Sequence, residues 1–102
     1  MAEMSFSNKV YSLVSKIPKG KVTTYREIAL KLDVKAYQAI GQVLKKNPNA
    51  PQVPCHRVVK SDGSLGGYKG SLITEKVELL ESEGIIITNG KIDLKLFLHS
   101  FG

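Results

Sequence analysis

The sequence predicts a small, mainly helical α+β domain built round a helix-turn-helix and closed by a C-terminal β-hairpin, and three observations predict it. Apolar residues recur at three- and four-residue steps in several separate stretches, a Thr24…Glu27 pair has capping-box spacing, and Asn89-Gly90 lies between two short apolar runs. With 102 residues and 42% apolar composition, the chain suffices for one domain around one ordinary hydrophobic core.

The elements follow in order. Phe6, Val10, Leu13, Val14 and Ile17 form the stripe of an amphipathic helix that begins near Ser5 or Ser7 and ends at Pro18-Lys19-Gly20. Thr24 and Glu27 can satisfy amides at the start of a second helix, which runs to about Leu32 with Ile28, Ala29 and Leu32 on its buried face. Ala36, Ala39, Ile40, Val43 and Leu44 give a third helix from Ala36 to about Lys46, stopped by Asn47-Pro48. The short link between the second and third helices makes them a helix-turn-helix candidate.

Pro48, Pro51 and Pro54 make the next segment irregular and stiff. Val58-Val59 is too short to assign, Ser61-Asp62-Gly63 reads as a turn, and Gly66-Gly67-Tyr68-Lys69-Gly70 as a flexible stretch. Ile73, Val77, Leu79 and Leu80 suggest a fourth helix from Leu72, closed by Gly84 in a left-handed conformation. Ile85–Thr88 and Lys91–Leu94 flank Asn89-Gly90, the pair that supplies the positive dihedrals of a type I′ hairpin turn. Leu96, Phe97, Leu98 and Phe101 then form an apolar tail. Together these elements describe a winged-helix-like domain spanning 1–102, with no internal repeat or interior linker.

Charge narrows the partners. Fifteen basic against nine acidic side chains leave a formal charge of +6, distributed as +6 over residues 1–46, +2 over 47–70 and −2 over 71–102. A basic excess confined to the first two-thirds suits a polyanion such as a nucleic-acid backbone, although a solvated lysine-rich surface has the same composition. No apolar run approaches the roughly 18 residues of a membrane span, and the first residues lack a signal-peptide pattern, so no membrane partner is expected. Cys55 is the single cysteine and His56 and His99 the only histidines, so an internal disulfide is impossible and a Cys/His metal site would need borrowed ligands. A reducing compartment is expected: the cytoplasm, or the nucleus of a eukaryote.

Pro54-Cys55-His56-Arg57-Val58 is where chemistry concentrates. An imidazole and a guanidinium beside the only thiol favour the thiolate, the nucleophilic form; a buried, inert cysteine is the alternative reading. If this segment is extended, the Cys55 and His56 side chains point to opposite faces and need a bridging water or a bend to act together.

The motif resembles the acceptor site of the O6-alkylguanine-DNA alkyltransferases, proteins of direct-reversal DNA repair. Pro18-Lys19-Gly20-Lys21-Val22-Thr23-Thr24-Tyr25, Asn47-Pro48 and Gly66-Gly67-Tyr68 stand in the order and approximate spacing of that family, and the similarity runs from about Phe6 to Gly84. It covers the family's C-terminal domain, the N-terminal one being absent from this sequence. The resemblance implies a monomer that binds double-stranded DNA containing O6-alkylguanine through the minor groove, flips the damaged base and transfers its alkyl group once to Cys55, without a cofactor or metal. By the same resemblance His56 takes the thiol proton through a water, Glu83 orients the imidazole and Asn47 braces the acceptor segment. Tyr25, Tyr68, the Lys69 amide and the Cys55 and Val58 carbonyls surround the base. DNA contact is implied at Thr24, Arg26, Ala36, Tyr37, Gln38, Gly41 and Lys45, with further phosphate contacts at Lys19, Lys21 and Lys46.

Three positions depart from the family. Gln38 stands where most relatives carry an arginine that fills the gap left by the extruded base, Tyr37 where they usually have a small residue, and Lys69 where a small residue edges the pocket. Gln38 lacks the planar cation that can stack on bases, and Tyr37 either turns aside or supplies a wedge of its own. Two other readings stand beside the transferase: an alkyltransferase-like protein that binds alkylated DNA without accepting the alkyl group, and a helix-turn-helix regulator reading the major groove, which leaves Pro54–Val58 idle.

Overall fold

A computed structural model of the chain describes residues 5–35, 37–46, 52–65, 73–99 and 101. Helix α1 (Phe6–Val14) starts where the Asn8 amide donates to Ser5 Oγ at 3.1 Å, and it buries Val10, Leu13 and Val14. A turn after it, with the Lys21 amide donating to the Pro18 carbonyl, leads into the two-residue strand β1 (Thr23–Thr24). Thr24 then caps α2 (Tyr25–Leu32) by accepting from the Glu27 amide at 3.1 Å, the first half of the predicted capping box. Asp33 ends that helix at φ 57°, a left-handed position that a short polar side chain tolerates. Helix α3 (Tyr37–Lys45) packs against both α1 and α2, completing the helix-turn-helix and a third neighbour behind it.

Val58–Val59, unassigned from sequence, is strand β2 and pairs in parallel with β1 in the register Thr23↔Val58, Thr24↔Val59. Successive side chains of a strand face opposite ways, and the core divides accordingly. Val58 joins Val10, Val14, Ile28, Ile40 and Cys55 under the helices, whereas Val59 joins Val22, Leu65, Leu80, Ile85 and Ile92 under the C-terminal part. A two-residue strand has too little sequence of its own to announce itself, because its pairing partner lies 35 positions away.

Helix α4 (Ile73–Ser82) closes as expected: the Ile85 amide donates to the Leu80 carbonyl and Gly84 takes φ 90°. The hairpin is shorter than the sequence suggests, β3 (Ile87–Thr88) pairing with β4 (Lys91–Ile92) around Asn89 at φ 52° and Gly90 at φ 74°. Asp93 accepts from the Lys95 amide and turns the supposed end of the strand into a one-turn helix, α5 (Leu94–Phe97). The architecture is the mainly helical α+β fold that the periodicities predicted.

Two glycines with similar dihedrals separate the effects of backbone strain and packing. Gly63 (φ 88°) and Gly84 (φ 90°) both occupy left-handed backbone, but a Cβ on Gly63 would overlap the Ile92 carbonyl oxygen, whereas one on Gly84 would meet nothing. Gly63→Ala is therefore expected to cost at least about 2 kcal/mol and Gly84→Ala about 1 kcal/mol in urea unfolding. Equal costs would mean that the Gly63 turn moves away from β4 freely.

Candidate active site and nucleic-acid interface

The Pro54–Val58 segment bends, one of the two arrangements that the sequence leaves open for Cys55 and His56 to act together. Buried Pro54 leads into a single 3-10 turn over Cys55–Arg57, in which the Cys55 amide donates to the Val53 carbonyl at 2.8 Å and the Arg57 amide to the Pro54 carbonyl at 2.9 Å. Three residues per turn place the Cys55 and His56 side chains about a third of a revolution apart instead of on opposite faces. Both are buried, Cys55 at 5% exposure and His56 at 1%, and Cys55 lies in the core cluster under the helices.

Glu83 organises this turn from the end of α4. His56 Nε2 lies 3.0 Å from Glu83 Oε2, while Arg57 donates from Nε to Oε1 at 2.8 Å and from Nη2 to Oε2 at 2.6 Å. Arg57 Nη1 also reaches the Ile17 carbonyl at 2.8 Å, which ties the end of the first helical segment into the same cluster. Burial works to raise the Glu83 pKa, but the hydrogen bonds from Arg57 and His56 outweigh it and hold the carboxyl below its usual range. Burial lowers the His56 pKa, and the Arg57 and Lys76 cations lower it further against the opposing pull of Glu83. The imidazole is therefore neutral beside an ionised carboxylate. Because a carboxylate only accepts, the ring proton belongs on Nε2, and Nδ1 is the basic nitrogen.

Sequence reasoning assigned no part to Arg57 in this cluster and none at all to Lys76. Lys76 is completely buried on α4, its ammonium donating to the Val58 carbonyl at 2.8 Å and to the Leu65 carbonyl. Burial is the main cause that depresses its pKa from 10.5 to about 8, while the negative charge available to Cys55 acts in the opposite direction. The signal is in the spacing: position 76 lies beside Val77 and four residues before Leu80, on the inward side of α4. Lysine was passed over because its charge ordinarily marks an exposed position.

Tyr25 stands at the first position of α2, half-buried against the cluster that contains Cys55. Its pKa is raised by burial first and by the Cys55 charge second, as is that of Tyr11, whose hydroxyl donates to the Val43 carbonyl at 2.7 Å. The structure thus brings Cys55, His56, Val58, Glu83 and Tyr25 into one region. Thr24 is buried with its hydroxyl engaged in capping α2, whereas Arg26, Tyr37, Gln38 and Lys45 are exposed along the helix-turn-helix. Lys19 and Lys46 are also exposed, and Lys21 donates to the Leu96 carbonyl at 3.1 Å. Ala36, Asn47, Tyr68 and Lys69 lie outside the described residues. Among the described residues no group of three His, Cys, Asp or Glu side chains is placed to hold a metal ion, and no helix is long and apolar enough to cross a membrane.

Comparison with known proteins places this arrangement. The profile of the family described as "6-O-methylguanine DNA methyltransferase, DNA binding domain" matches residues 5–85, a span that includes the helix-turn-helix, the acceptor turn and Glu83. The chain belongs to that family. Among curated relatives of this methyltransferase domain, a "Bifunctional methyltransferase/endonuclease" of Picrophilus torridus is 46% identical over 98 residues, 95% of this chain and 33% of that protein. A "Methylated-DNA--protein-cysteine methyltransferase" of Candida glabrata is 46% identical over 88 residues, 85% of this chain and 42% of that protein. The chain thus spans less than half the length of either. Among solved structures, S. pombe Atl1 in complex with damaged DNA containing O6-carboxymethylguanine aligns with a TM-score of 0.84 and 32% identity, over 98% of this chain and 99% of that one.

The site makes two energetic predictions. Arg57→Met leaves the largely buried Glu83 carboxylate without its bidentate partner and should destabilise the fold by about 3 kcal/mol in urea unfolding, a larger cost than removing an exposed ion pair. Lys76 has a folded pKa below its unfolded value, so between about pH 8 and pH 10 the unfolded chain binds more protons and stability rises with pH through this group. The difference in unfolding free energy between Lys76→Met and the unmodified chain should therefore shift by about 2 kcal/mol across that window in favour of the unmodified chain. A parallel pair of pH profiles would remove the buried charge from the account.

Proposed function

We propose that this domain is a single-turnover DNA alkyltransferase that accepts the alkyl group of O6-alkylguanine on Cys55. The observation that carries the reading is the acceptor turn itself, where a buried thiol adjoins a neutral imidazole whose Nε2 is held by an ionised, arginine-bound carboxylate. In this reading the thiol proton passes through a water to His56 Nδ1, and the resulting imidazolium is stabilised by Glu83. Cys55 Sγ attacks the alkyl carbon, a C–S bond forms as the C–O6 bond breaks, and the bond pair stays with guanine, which takes up a proton. The product thioether has no route back to a thiol, so each molecule acts once. No external cofactor enters the balance.

The substrate enters from the basic side. Arg26, Lys45, Lys19 and Lys46 are exposed and suited to the phosphates of a duplex, while the target base rotates out of the stack toward Tyr25 and the Val58 carbonyl. Asn47, Tyr68 and the Lys69 amide belong to the same proposal as the brace and outer wall of the pocket. A second reading, recognition of the lesion without transfer, is favoured by one observation: the match to Atl1 bound to O6-carboxymethylguanine DNA extends over nearly the whole of both chains.

Intact-protein mass after incubation with a duplex bearing one O6-methylguanine separates the two readings. The expected outcome is a gain of one CH2, absent with undamaged duplex and in Cys55→Ala. Glu83→Gln should slow the transfer by about 10²-fold or more, since the imidazole loses its orienting anion. Preferential binding of the damaged duplex with no mass gain would replace transfer by recognition.

A further inference from the structure

The outer face of α3 carries three residues at i, i+4 and i+8: Tyr37, Gly41 and Lys45. The helix is anchored from its other side by Ile40 and Leu44, both buried, so this face contributes little to the fold. Tyr37 is 48% exposed and joins neither core cluster, an unusual position for a large aromatic in a small domain. One turn on, Gly41 has nothing among the described residues within 4 Å of where a Cβ would stand and has no positive φ. A glycine inside a helix costs about 1 kcal/mol relative to alanine, and here neither backbone strain nor a crowded neighbour among the described residues returns that cost. The return must lie in what approaches from outside. Lys45 at the far end adds an exposed cation on the same line.

On the minor-groove docking that the family resemblance implies, this face of α3 meets the DNA with Gly41 at the closest approach, and we infer that Tyr37 inserts its ring into the base stack beside the extruded nucleotide. The inference rests on the DNA reading above and adds a stacking residue to it. The physical argument is that the vacancy left by a flipped base must be filled by a group offering comparable stacking area. Gln38, next along the helix, has only a small amide plane, whereas the exposed phenol ring has a π-face and two stiff torsions. An apolar or aromatic wedge from the protein is the usual way a minor-groove binder offsets the cost of unstacking. The exposure of Tyr37 also favours the wedge over a ring turned aside, since the ring joins neither core cluster.

The test uses a lesion-bearing duplex with 2-aminopurine beside the O6-methylguanine and reads fluorescence and affinity together. Tyr37→Ala should weaken duplex binding by about 5- to 100-fold and abolish the 2-aminopurine change on binding, while Tyr37→Phe restores both, since the ring and not the hydroxyl is required. Gly41→Leu should fold with unchanged or higher thermal stability, measured by circular dichroism, and yet bind the duplex at least tenfold more weakly. Tyr37→Ala with unaltered fluorescence and affinity would overturn the inference, as would a Tyr37→Phe that behaves like Ala or a Gly41→Leu that binds normally. These signals do not require alkyl transfer. If the mass gain at Cys55 is absent but the Tyr37 effects are present, the transferase reading fails alone; if transfer proceeds equally in Tyr37→Ala, the stacking inference fails alone.

Discussion

The Glu83 carboxylate is the point on which the rest of the arrangement depends. A carboxylate that is largely removed from water costs several kcal/mol unless its oxygens are satisfied, and here three groups on the acceptor turn satisfy them: two nitrogens of Arg57 and one of His56. The same Arg57 side chain extends to the Ile17 carbonyl. One ionic cluster therefore joins the end of α4, the end of the first helical segment and the 3-10 turn that carries Cys55. These elements are far apart in sequence, and none can shift without exposing an unpaired buried charge. Stability and chemistry are coupled at this point, because the contact that offsets the buried anion also fixes the tautomer of the imidazole.

Lys76 adds a second polar strut, at the cost of a buried cation. Its ammonium joins the Val58 carbonyl of β2 to the Leu65 carbonyl, so these two stretches of backbone are held at a set separation. Burial is the main reason that the His56 ring stays neutral despite its contact with Glu83, and the Arg57 and Lys76 cations add to it. An apolar residue at position 76 would fill the space with less desolvation penalty. The charge instead couples to the nearby thiol, since a cation buried close to a cysteine favours its anionic form.

The two faces of the domain divide the work. The core under β1, β2 and the first three helices is closed and apolar, and it supports the acceptor turn from behind. The outer sides of α2 and α3 keep their cations and an aromatic ring in solvent, with backbone left uncovered at Gly41. Under the proposed function, a buried thiol site and a charged, accessible face on one small domain suit a target that must be taken out of a duplex before any bond can change.

The sequence by itself determined the helices, their caps, the hairpin turn and the acceptor motif, because each is encoded within a few residues. The Thr24–Glu27 spacing, Gly84 after the α4 stripe and Asn89-Gly90 act through local hydrogen bonds and local φ/ψ, so they can be read without knowing the fold. The residues that carry the resemblance were legible for the same reason. What only the tertiary structure decided is pairing over distance: β2 with β1, Arg57 with Glu83 and Ile17, Lys76 with two carbonyls, and the shortening of the hairpin by an Asp93 cap. A lysine inside α4 and an arginine beside a cysteine each have the composition of a surface, and local rules place them there. They are buried because partners 26 residues away for Arg57 and 18 and 11 away for Lys76 neutralise or hydrogen-bond them, and those partners come within reach only once the core has closed.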